Sequence, residues 1–155
     1  MWKQLQRYRA LDSETRKTFH RAAMLLPVVK VSLRLCGFKK TREFLEKHQS
    51  RSSAEPAETG ASSQAVLGIS RMVRAAARYG FVRASCLEES LTLWHLLRKQ
   101  GHGAKLRIGV RKKAQKFEAH AWVEHNGTAL NQAEQMHRHY AAFESEFVEP
   151  GNEEI

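Results

Sequence analysis

The apolar positions fall into blocks with different periods, set apart by small or polar stretches. Phe19, Ala22, Ala23, Leu26, Val29 and Leu33 keep helical spacing. Asp12 suits the N-cap of that helix and Glu14 its first turn. The pattern runs to about Gly37, and Pro27 is expected to kink or split it. Residues 48–63 are small and polar with one proline and no apolar face, which predicts a linker or mobile loop. A second helix is expected from about Gln64 to Tyr79, with Val66, Ile69, Val73 and Ala76 buried and Arg71, Arg74 and Arg78 on a basic face. Gly80 would stop it. A third runs from Cys86 to Gly101 and is apolar over much of its girth, so it should be the central buried helix.

The period then changes to two. Leu106, Ile108 and Val110 alternate along Lys105–Arg111, and a polar turn follows at 112–116. Phe117 to Glu124 alternates again, with Phe117, Ala119, Ala121 and Val123 opposite Glu118, His120, Trp122 and Glu124. Asn126-Gly127 is a hairpin signal, and Thr128–Asn131 is the return strand. A two-residue turn sets residue 120 opposite 133 and puts Asn131 on the His120 face. A three-residue turn with a bulge at Gly127 sets residue 120 opposite Gln132. The two-residue form pairs Leu130 with Val123, which the apolar pattern prefers. A short aromatic helix is expected around His139–Phe147. The whole is α+β: a helical region over 1–47, a linker over 48–63, and a compact domain over 64–150.

The chain has 155 residues and a formal charge of +10. Such a charge predicts attraction to acidic partners without choosing among them. Nucleic-acid binding gains nothing further, because no binding-fold signature and no aromatic-basic interleaving is present. The apolar stretch from Ala22 to Phe38 is interrupted by Lys30 and Arg34 and falls short of the ~20 residues of a membrane span. Three readings of it stand: packing on the domain's own core, a docking face for a partner protein, and peripheral contact with anionic lipid through Arg34, Lys39, Lys40 and Arg42. Two cysteines, Cys36 and Cys86, are too few for a disulfide framework. The first residues lack the apolar core of a signal peptide, so a reducing cytoplasm is the expected compartment.

The candidate chemistry lies between Ser85 and Gln132. A thiol is a useful nucleophile only as thiolate. Cys86 opens a helix, where the dipole and the unpaired N–H groups favour negative charge. Those N–H groups, that of Cys86 included, suit the oxyanion of an acyl-transfer intermediate. His120, flanked by small residues in A-H-A-W, is the candidate general base. Cys36, by contrast, reads as a small buried hydrophobe. A third residue should orient the imidazole, and the turn geometry leaves Gln132 and Asn131 as the candidates. His95, His102, His137 and His139 match no structural zinc spacing, and no metal or other cofactor is expected.

The runs C-L-E-E-S-L-T-L-W-H-L-L, L-R-I-G-V-R-K and F-E-A-H-A-W-V-E-H-N-G-T-A-L-N resemble the lasso-peptide leader peptidases. These are transglutaminase-like cysteine proteases related to the microcin J25 processing protein. The match is specific over residues 83–132, and L-L-P-V-V-K-V-S-L-R-L-C-G-F resembles the family's apolar-basic helical region. The resemblance implies a papain-like core, with a central helix packed on a small antiparallel sheet. It also implies a Cys-His-Asp triad that removes the leader from a ribosomally made precursor. Cys86 and His120 match the nucleophile and base positions. Gln132 stands where the family has an acidic residue. An amide can orient an imidazole through its oxygen, but it lacks the charge that stabilises imidazolium; Asn131 or Glu134 would then be recruited. The implied partners are the precursor's leader, a small leader-recognition protein and an ATP-dependent macrolactam cyclase. The alternative reading is a catalytically weak or inactive adaptor that docks precursor and cyclase.

Overall fold

A computed structural model describes residues 12–48, 63–113, 116–131 and 141–143. Among the described residues three helices, α1 (Ser13–Lys47), α2 (Ser63–Tyr79) and α3 (Cys86–Lys99), precede four strands: β1 (Lys105–Lys113), β2 (Lys116–His125), β3 (Thr128–Ala129) and β4 (Ala141–Phe143). The strands form one antiparallel sheet in the order β3-β2-β1-β4. The fold is α+β.

Helix α1 starts as its sequence requires. The Asp12 side chain accepts from the Thr15 N–H, and Glu14 lies in the first turn. The backbone holds helical angles through Pro27 and breaks instead at Gly37, where φ is 76°. That conformation favours glycine. The helix resumes and reaches Lys47, ten residues past the expected end. The break is braced by the buried Thr41, whose hydroxyl donates to the Gly37 carbonyl at 2.7 Å and lies 2.9 Å from Ser32 Oγ. Ala22, Ala23, Leu26 and Val29 are buried, which settles core packing for one face. Met24, Val28, Val31 and Leu35, at spacings of three and four on the other face, are exposed, as is Cys36. Cys36 was expected to be buried; it falls on the outward side of the turn before the break. No helix of the described residues is long and apolar enough to cross a membrane.

Helix α2 buries the expected stripe of Val66, Ile69, Val73 and Ala76, and turns Arg71, Arg74 and Arg78 to solvent. A Cβ on Gly80 would sit 2.3 Å from the Ala76 carbonyl oxygen, so only glycine lets the chain leave the helix at that point. Helix α3 is the central element. It packs on α1, α2, β1 and β2, and Leu91, Leu93 and Leu97 are fully buried. It ends in a Schellman motif: Gly101, with φ 80°, donates its N–H to the Arg98 carbonyl, and His102 donates to Leu97.

The turn between β2 and β3 has Asn126 at φ 48° and Gly127 at φ 76°. With Glu124 opposite Ala129 and His125 opposite Thr128, it is the two-residue form. Leu130 N–H donates to the Val123 carbonyl at 2.9 Å, which extends the pairing the apolar pattern prefers. The tail departs from expectation. Ala141–Phe143 is a strand paired to Ile108–Val110 of β1, not part of a helix. The unpaired edge of β1 offers main-chain partners that local helix propensity cannot match. The linker residues 49–62 and the remainder of the tail lie outside the described residues.

Candidate functional site

Cys86 is the first residue of α3. The local sequence S-C-L-E is a capping box: Glu88 N–H donates to Ser85 Oγ at 3.3 Å, and Ser85 N–H donates to Glu88 Oε2 at 2.7 Å. Glu88 is buried. Lys30 of α1 lies 3.8 Å from its Oε2 and also donates to the Arg83 carbonyl at 2.7 Å. One cation thus ties α1 to the loop that delivers Cys86. Since Ser85 Oγ takes the third N–H of the helix, the first two, of Cys86 and Leu87, are the ones that α3's own geometry leaves for an outside acceptor. The Cys86 side chain is half-buried.

Ser90 sits one turn further on, ~6 Å along the axis, and is fully buried. Its hydroxyl donates to the Ala121 carbonyl at 2.9 Å and accepts from Asn131 Nδ2 at 2.8 Å. Asn131 Oδ1 in turn accepts from the Val123 N–H at 2.9 Å. The directions fix one another. A backbone N–H can only donate, so it faces the amide oxygen; the amide nitrogen then donates to Ser90, whose own proton goes to Ala121. Ser70 of α2 adds a bond to the Leu130 carbonyl at 2.8 Å. The network clamps the first turns of α3 to the strand segment that carries His120.

His120 lies on the sheet face shared with Trp122 and Glu124, opposite Gly109 of β1. The imidazole stacks on the Trp122 ring, with centroids 6.4 Å apart and planes 15° apart. Its Nε2 is shielded from solvent. Trp122 is 1 % exposed and donates from Nε1 to Glu124 Oε1 at 2.9 Å, while Arg107 Nε donates to Glu124 Oε2 at 2.9 Å. The Glu124 carboxylate that fixes the indole is therefore itself held from both sides. Glu89, one turn from Cys86, has its carboxyl pushed up by burial, against the pull of Arg74, and its Oε1 meets no hydrogen-bond partner among the described residues.

The structure thus joins the elements of Cys86 and His120 through Ser90. It places Asn131 in the same network, but with its oxygen engaged by Val123; orienting an imidazole would require that oxygen to take a second donor. Gln132, Glu134, His137 and His139 lie outside the described residues. Sequence reasoning missed three contributors. The Ser85–Glu88 box was legible as S-x-x-E. Ser90 was visible as a polar residue in an apolar stripe. Lys30, 53 residues before Arg83 in sequence, gave no signal. Among the described residues, no group of three or more His, Cys, Asp or Glu side chains is placed to hold a metal ion.

A family model described as the transglutaminase-like superfamily matches residues 24–145. No curated protein matches the chain, and no solved structure does.

Proposed function

The chain belongs to the transglutaminase-like superfamily, commonly cysteine peptidases or transglutaminases, and on that footing we propose that it is a cysteine peptidase removing the leader from a ribosomally made lasso-peptide precursor. The observation that carries the reading is Cys86 at the capped start of α3, clamped through Ser90 to the strand bearing His120. In the proposed reaction the Cys86 thiolate attacks the scissile carbonyl. The N–H groups of Cys86 and Leu87 hold the oxyanion. His120, as imidazolium, gives its proton to the leaving amine, so that the C–N bond breaks and a thioester remains. Water, deprotonated by His120, then attacks the thioester, the C–S bond breaks, the acid leaves, and the thiolate–imidazolium pair is restored. Gln132 is proposed to orient His120, with Asn131 as the alternative. The trans-acting partners of this reading are a small leader-recognition protein and an ATP-dependent macrolactam cyclase, in the cytoplasm. The exposed stripe of Met24, Val28, Val31 and Leu35 is a surface on which such a partner, or anionic lipid, would rest.

The test is cleavage of the cognate precursor peptide. Cys86→Ala should lower the rate by at least about a thousandfold with the fold intact by circular dichroism. Unchanged cleavage sinks the reading of Cys86 as nucleophile, and no cleavage by the parent chain leaves the adaptor.

A further inference from the structure

At the other end of α3, helix and sheet enclose a recess of about 530 Å³. Its apolar floor is Trp94, Phe38, Leu106 and Ile108; Arg42, Arg98, Lys105 and Arg107 stand around it, with Glu46 as the one acidic residue in the lining. Trp94 is 3 % exposed, and the guanidiniums of Arg42 and Arg98 lie 6.0 and 5.8 Å from its ring centroid. A guanidinium that rests its face on an aromatic ring is held in orientation, while its in-plane N–H fork stays suited to a carboxylate. One carboxylate of the lining is already held by the rim: Arg42 Nε lies 3.0 Å from Glu46 Oε1.

We propose that this recess is a specificity subsite for acidic residues of the peptide substrate. The inference rests on the reading of the chain as a peptide-cleaving enzyme. The basic rim reads Asp or Glu, and an interleaved apolar side chain rests on the Leu106–Ile108 floor.

The experiment is binding, so it stands or falls apart from cleavage. A dansyl-labelled Glu-Leu-Glu-Glu-Leu-Glu peptide and its all-Gln counterpart are titrated into the full chain carrying Cys86→Ala. The acidic peptide should bind at least about tenfold tighter. Arg42→Glu with Arg98→Glu should remove that difference. Arg98→Lys, which keeps the charge and loses the fork, should retain part of it. Reversing Arg71 and Arg78 on the exposed face of α2 makes the same change in net charge and should alter binding less than about twofold. The indole N–H signal of Trp94 should shift on binding. Equal loss from the α2 reversal, or no loss from the recess reversal in protein that keeps its wild-type melting temperature, overturns the subsite.

Discussion

The two ends of α3 are built by different physics. The C-terminal end is closed by main-chain bonds and apolar burial: the Gly101 turn satisfies the last carbonyls, and Leu97 beside it is fully buried. The N-terminal end is held by side chains: Ser85 and Glu88 cap it, Lys30 ties it to α1, and Ser90 ties it to β2. A helix end closed by main-chain bonds has no backbone group left to offer a reacting atom. One braced by polar contacts around its rim can keep its first N–H groups and a thiol available. The difference teaches where to expect chemistry on a helix that otherwise looks uniformly buried.

Substitutions at the two ends should therefore separate stability from activity. The largest effect on stability is expected at the closed end. Leu97→Ala should cost about 2–5 kcal/mol by denaturant titration, with the surviving folded fraction as active per molecule as the parent. A matching loss of specific activity would break the contrast. Ser90→Ala should cost less, about 1–3 kcal/mol, since it strands the half-buried Asn131 amide and the Ala121 carbonyl. Its specific activity should nonetheless fall well beyond the unfolded fraction, because the register of Cys86 against His120 is lost. If activity merely follows stability, the clamp is structural only. The smallest effect is expected at Glu89. Burial raises its carboxyl above the ordinary 4.5, so the fold binds more protons there than the unfolded chain. That favours folding below pH 4.5, and the advantage is lost as pH rises through the folded value. Glu89→Gln should thus raise the melting temperature at pH 7 and leave it unchanged at pH 4. The opposite pattern would mean that the pull of Arg74 outweighs burial.

Much of this division was legible in the sequence. Periods of 3.6 and 2 placed the helices and the long strands, and Asn-Gly fixed a turn whose length then chose between two registers. Cys86 stood out because it opens a helix, and His120 because small residues flank it in A-H-A-W. Local rules failed where distant partners decide. Pro27 is absorbed because the flanking turns pack on the core, while Gly37 breaks with a hydrogen-bonded brace from Thr41. Ala141–Phe143 is drawn into the sheet by the open edge of β1. Asn131 is a candidate to orient the imidazole, and its amide also bonds Val123 and Ser90, contacts that no spacing rule reveals.

The central claim is that Cys86 is activated by its helix end and by His120. The chain carries its own control, since Cys36 is exposed on α1 and Cys86 is half-buried. The two thiols can be alkylated by iodoacetamide at pH 6.5 and followed by peptide mass spectrometry, in the wild type and in His120→Ala. The account predicts that Cys86 reacts faster than the more accessible Cys36, by about tenfold or more, and that His120→Ala removes the advantage. Reactivity that follows exposure, with Cys36 faster in both proteins, would contradict it.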